Sequence, residues 1–130
     1  MFKKIITALA LTTALSAFAH EGHDQPPGTL KSAHGGIVKA GHQINLEYIV
    51  SGQTVKLFPL SHDGKDVSNH EVQITATFKS PKGKPEVAVI DFKDGSYNTS
   101  VDFKGAYRVE MTVLTETKGK KDSFKFQVEK

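Results

Sequence analysis

The sequence predicts an all-β domain, an antiparallel immunoglobulin-like β-sandwich of about seven or eight strands, with a small β-barrel as the alternative architecture. Apolar residues recur at every second position over much of residues 44–128, as expected where one face of each strand is buried. Turn-forming residues separate these runs at intervals of about 8–12 residues. No segment of the predicted mature chain carries a long apolar stripe at helical spacing.

The predicted strands follow one another between recognisable turns. The alternating runs occupy residues 43–50, 54–60, 72–78, 87–89, 97–103, 107–113 and 124–128. The turns between them are rich in Gly, Asp, Lys and Pro, as at Asp63-Gly64 and Asp94-Gly95. The chain lacks the Cys and Trp residues of a true immunoglobulin core, so the likeness concerns architecture only.

Residues 1–19 are predicted to be a secretory signal peptide. Lys3 and Lys4 give a positive start, residues 5–15 form an uncharged apolar run, and Ala17 and Ala19 occupy the positions that a signal peptidase reads. The run is shorter than the roughly 20 residues that a membrane-spanning helix needs. We therefore expect cleavage after Ala19, a periplasmic location, and no membrane insertion of the mature chain.

The rest of the chain has the composition of one small exported domain. Residues 20–33 are predicted to be a flexible leader rich in His and Pro, and residues 34–130 the β-sandwich domain. The chain has no Cys, so it forms no disulfide and carries no thiol chemistry. Removing the two signal lysines leaves 15 basic residues (17 − 2) against 14 acidic ones, so a basic nucleic-acid footprint is absent. Common catalytic motifs are also missing, and we expect a protein that is not an enzyme.

Histidine is the residue type that points to chemistry. Four of the six histidines fall between residues 20 and 42, and neutral imidazole is a good ligand for copper, zinc and nickel. Cleavage after Ala19 would make His20 the first residue, so that its amine and its imidazole could chelate one metal together. The predicted metal ligands are His20, His23, Asp24, His34 and His42. Cu(II) is the expected cofactor, with Zn(II) or Ni(II) as alternatives.

A family resemblance follows from several short motifs. They are the leader His20-Glu21-Gly22-His23-Asp24, the His34-Gly35-Gly36 step, residues 44–50 and 55–60, and the turn Asp63-Gly64-Lys65. Together they resemble small periplasmic proteins associated with heavy-metal efflux in Gram-negative bacteria. The last strands, from Gly105 onward, are similar to those of YtkA-like and other immunoglobulin-like periplasmic domains.

A second resemblance is to the CopC-type copper carriers, which are small periplasmic β-sandwiches. In that family the first mature His holds Cu(II), and His20 matches this ligand. The chain departs from the family pattern in placing about a dozen residues, including Pro26-Pro27, between His20 and the domain.

Two functional hypotheses follow. The first is a metal-binding or metal-handling protein linked to heavy-metal resistance, with a metal efflux complex as a partner. The alternative is a structural or interaction module that binds no metal and docks to a periplasmic or membrane complex.

Overall fold

The computed structural model describes residues 30–130, which form nine β-strands and no helix. The strands are β1 (Ile37–Lys39), β2 (Asn45–Ser51), β3 (Thr54–Leu60), β4 (Val72–Lys79), β5 (Glu86–Val87), β6 (Asp91–Lys93), β7 (Ser96–Ser100), β8 (Arg108–Thr117) and β9 (Lys120–Glu129). No helix in this part of the chain is long and apolar enough to cross a membrane. The predicted signal peptide and most of the predicted leader lie outside the described residues.

The strands form two antiparallel sheets that do not close into a barrel. The five-stranded sheet has the order β1-β2-β3-β7-β6, and the four-stranded sheet has the order β5-β4-β8-β9. If β2 is taken as strand A, these orders are A-B-E-D and C′-C-F-G, which is the immunoglobulin arrangement with one additional strand, β1. The predicted antiparallel sandwich is confirmed. Its nine described strands exceed the predicted seven or eight because β1 and β6, with three residues each, are too short to show alternation, whereas the predicted run at residues 87–89 corresponds to β5.

The core lies between the two sheets and follows the predicted alternation. In β4, Val72, Ala76 and Phe78 are buried, and Ile74 packs against the same cluster. The aromatic rings of Tyr48 and Phe126 stack across the core with centroids 3.8 Å apart. In each strand these buried side chains lie on the same face, at every second position. The period of two in the sequence therefore predicted their burial correctly.

The strands β2 and β3 depart from simple alternation because both of their faces are buried. Leu46 and Leu57 face the core, whereas Glu47 and Phe58, which lie opposite each other in the register, face away from it. Glu47 and Phe58 are nevertheless only 0% and 7% exposed. The segment of residues 30–36 contacts this outer face, since its backbone bonds to Glu47 and its His34 ring stacks on Phe58.

Candidate functional site

The His-Gly-Gly segment before β1 is held on the sheet by one buried carboxylate. Oε1 of Glu47 accepts the backbone N–H of Ala33 at 2.9 Å and that of His34 at 3.0 Å. Oε2 accepts the N–H of His34 at 2.9 Å and that of Gly36 at 2.6 Å. Within residues 30–130, Glu47 forms no ion pair with Lys, Arg or His. Backbone amides therefore stabilise its charge, as they do in anion-binding nests.

The two glycines of this segment serve different purposes. Gly35 has a φ of +81°, in the left-handed region that glycine enters without steric cost. Gly36 has an ordinary φ, but a Cβ there would clash with the carbonyl oxygen of Tyr48 and the side chain of Ile49. The first glycine allows the chain to turn, and the second allows it to lie against β2, so both place His34 above the sheet.

The ring of His34 is fixed by a stacking contact and a hydrogen bond. It lies 3.9 Å from the ring of Phe58 with an angle of 14° between the planes, and its Nε2 is 2.7 Å from Oδ1 of Asp66. An ionised carboxylate only accepts hydrogen bonds, so the proton of a neutral His34 belongs on Nε2. The hydrogen bonds within residues 30–130 leave Nδ1 of His34 unengaged, with the lone pair that a metal ion requires.

Asp66 is placed beside His34 by the chain that follows β3. After the turn at residues 61–65, Asp66 forms an isolated β-bridge with Leu60, and Val67 donates its N–H to the carbonyl of Pro59 at 3.0 Å. A cavity of about 270 Å³ opens next to Asp66, with Phe58, Phe92 and Tyr97 in its lining. Asp66 therefore lines an aromatic recess, and its partner His34 stacks on Phe58, another residue of that lining.

The second predicted domain ligand, His42, belongs to a different anchor. Its backbone N–H is donated to Oδ1 of Asp122 at 2.8 Å, and Oδ2 of the same carboxylate accepts the N–H groups of Gln43 and Ile44 at 2.8 and 3.2 Å. Asp122 is buried on β9, so this clamp ties the loop before β2 to the edge of the four-stranded sheet. The His42 residue is exposed.

The remaining described histidines form no hydrogen bond or ion pair with His34 or Asp66 within residues 30–130. Nε2 of His62 is 3.0 Å from the carbonyl oxygen of Gly41, and His70 is an exposed residue. Among residues 30–130, no three His, Asp or Glu side chains converge in a group that could hold a metal ion. The other predicted ligands, His20, His23 and Asp24, lie outside the described residues, so the complete ligand set stays a prediction.

The carboxylates that organise this region were missed by the sequence reasoning. Glu47 is a charged residue among alternating apolar ones, and Asp122 follows a lysine-rich turn, which is the usual pattern of solvated residues. The sequence does not show which segment covers the outer face of a strand, so it does not reveal that a carboxylate on that face is buried. The glycine pair at residues 35–36 was the one local signal of close backbone approach.

Within residues 30–130, four side chains have a pKa shifted by burial or by an adjacent partner. Burial raises the pKa of the Tyr48 and Tyr97 phenols above the ordinary value. A hydrogen bond to Glu86, 2.6 Å away, raises the pKa of Lys104, and a hydrogen bond from Ser61 lowers the pKa of Asp63. The pKa shifts of the two tyrosines are therefore caused by burial, and those of Lys104 and Asp63 by a hydrogen bond to an adjacent side chain.

The fold and the anchored histidine define an immunoglobulin-like β-sandwich with a backbone-bound carboxylate under its N-terminal segment. No protein-family model matches the chain, and no curated protein sequence matches it. The fold is similar to the crystal structure of a DUF4426 family protein from Pseudomonas aeruginosa PAO1. The TM-score is 0.55 with 17% sequence identity, covering 72% of this chain and 94% of that one. At this identity the likeness concerns the fold alone.

Proposed function

We propose that this chain is an exported metal-handling protein in which His34 is the ligand supplied by the folded domain. The observation that carries the proposal is the 2.7 Å contact between Nε2 of His34 and Asp66. A metal-binding histidine commonly donates its second ring N–H to a carboxylate, which fixes the tautomer and makes the free nitrogen more basic. His34 has this arrangement, with Nδ1 as the proposed donor atom.

The rest of the ligand set is proposed to come from the leader. His20, His23 and Asp24 precede His34 by ten to fourteen positions, and fourteen extended residues span up to roughly 46–50 Å. Residues 33–36 are bound to Glu47, so the leader enters the domain beside the His34 ring. His42 would join this set only if the leader folds back as far as the loop before β2.

Cu(II) is the proposed metal. The ligand set contains nitrogen and oxygen donors without thiolate, and copper is at the top of the divalent affinity order for such donors. The amine and the imidazole of His20 are covalently linked, so fewer independent groups must be ordered than with separate ligands. Zinc and nickel are the alternatives, and a periplasmic role near an efflux system is the proposed setting.

The test is copper binding by the mature chain beginning at His20, measured by native mass spectrometry and by electron paramagnetic resonance. We expect one Cu(II) per chain and nitrogen hyperfine coupling from more than one imidazole. His34→Ala should remove one of these nitrogens. Asp66→Asn should keep the nitrogen but weaken binding by about 10–100-fold, which is the usual effect of changing a carboxylate that orients a ligand.

Matched controls lie in the same region. Asp63→Asn changes an exposed carboxylate three positions from Asp66, and His70→Ala removes an exposed histidine; both should leave copper affinity unchanged. Adding one residue before His20 should weaken binding by separating the amine from the imidazole. If this extension abolished binding while His34→Ala had no effect, the metal would belong to the leader alone. If copper never bound, the interaction-module hypothesis would replace the proposal.

A further inference from the structure

A second recess lies near the edge of the five-stranded sheet opposite to β1, where the chain passes from β5 to β6. It has a volume of about 510 Å³, within the range of roughly 300–1,000 Å³ that is usual for ligand sites. Its lining includes Phe78, Val87, Val89, Asp91, Asn98 and Thr99. We call this recess the β5 groove. It shares no lining residue with the recess beside Asp66.

The β5 groove carries the two most exposed large apolar residues of the described chain. Val87 and Val89 are 79% and 83% exposed, compared with 46% for Leu114 on the outer face of the other sheet. Both are β-branched, and they are two positions apart, whereas Ala88 between them is buried in the core. Single exposed apolar residues are common, but a pair beside a cavity is typical of an interaction site.

The backbone at Val87 is open to an additional strand. β5 is the last strand of the four-stranded sheet and β6 the last strand of the five-stranded sheet. Ala88 donates its N–H to the carbonyl of Ala76 at 2.9 Å. Because hydrogen-bonding residues alternate along an antiparallel strand, the N–H and C=O of Val87 point away from β4. An extended peptide could pair with these groups by adding a strand to the edge.

The charge of the groove favours a basic partner. Thr99 is 4% exposed, and its Oγ1, which forms no hydrogen bond within residues 30–130, has almost no accessible surface, so a ligand in the groove does not reach this hydroxyl. Asp91 is the one charged residue of the lining, and a partner with a basic residue would complement it.

We propose that the β5 groove binds an extended segment of a partner protein that carries branched aliphatic residues next to a Lys or Arg. The segment adds as a strand to β5 through the backbone of Val87. One aliphatic side chain enters the recess, and the basic residue lies near Asp91. This inference uses none of the proposed metal ligands and stands without the copper proposal.

The probe is a capped peptide of sequence Lys-Val-Thr-Val-Thr, titrated into the isotope-labelled mature chain and followed by amide chemical shifts. We expect saturable shifts centred on Val87, Val89 and Thr99, with a Kd of about 1 mM or tighter. A control peptide with both valines replaced by serine should give no saturation. Shifts that do not saturate, or that are the same for both peptides, would overturn the proposal.

Two variants test the contacts. Val89→Ser and Asp91→Asn should each weaken peptide binding by about tenfold, the equivalent of one lost contact of roughly 1.4 kcal/mol. Leu114→Ser, which changes an exposed apolar residue on another strand, should not. Thr99→Val should raise the melting temperature, because it removes an unpaired buried hydroxyl, and should leave peptide affinity unchanged. If the same amides shifted with protein concentration in the absence of peptide, the groove would be a contact between two copies of the chain, and the proposal would be wrong.

Discussion

The conversion of Glu47 to Gln tests whether one carboxylate holds the N-terminal segment on the sheet. The substitution keeps the shape of the side chain but replaces one oxygen with an NH₂ group. Oε1 accepts from Ala33 and His34, and Oε2 accepts from His34 and Gly36. Whichever oxygen is replaced, at least one backbone N–H then faces another donor. A hydrogen bond to a charged group contributes about 1.5–3 kcal/mol, so the expected loss of unfolding free energy is about 2–4 kcal/mol.

The assay is urea unfolding combined with amide hydrogen exchange. Released amides would bond to water, so the loss cannot exceed the free energy of undocking residues 30–36. We therefore expect the amides of Ala33, His34 and Gly36 to lose protection before the β-strands do. Glu129→Gln, at an exposed position on β9, is the matched control. An unfolding free energy within about 0.5 kcal/mol of the original, with all three amides still protected, would refute the reasoning.

Three further predictions concern packing and titration. Gly36→Ala should destabilise the domain by about 2 kcal/mol or more in thermal unfolding because its Cβ meets backbone, whereas Gly35→Ala, in open space at φ +81°, should cost only about 1 kcal/mol. Asp122→Asn should cost about 2 kcal/mol in urea unfolding and expose the amides of residues 42–44 to exchange, since both of its oxygens are used. Burial raises the pKa of Tyr48 and Tyr97, so the folded state keeps their protons to higher pH than the unfolded state. Unfolding free energy should therefore fall as pH rises above about 10, and Tyr48→Phe should reduce this fall.

The sequence predicted the inward faces of the sandwich because burial on one strand face repeats every second residue. Val113 and Phe124, opposite each other in β8 and β9, are both buried in this way. The sequence could not predict that Glu47 would be buried on the outward face of β2, because residues 30–36, which fold over β2, cause that burial. Such a contact joins segments 11–14 positions apart and leaves no periodic signal.

The candidate site was predicted in part for the same reason. His34 was selected for its chemistry and for the following glycines, and the structure gives it a defined position and a carboxylate partner. Asp66 could not be assigned to it, because the pair is 32 positions apart and depends on how the chain turns after β3. His42 was grouped with His34 by proximity in sequence, whereas its backbone is bound to a residue 80 positions away on β9.

The Asp122 clamp has a consequence for the order of events in folding. The acceptor lies on the last strand, and the donors lie 78–80 positions earlier, so the loop before β2 remains without its partner until the final hairpin has formed. Contacts over such separations carry a large loop-closure entropy and make sandwich folding slow, on the millisecond-to-second scale. A nascent chain that ends before Asp122 therefore lacks the acceptor for the loop before β2, and this contact forms only when residues near both ends of the domain come together.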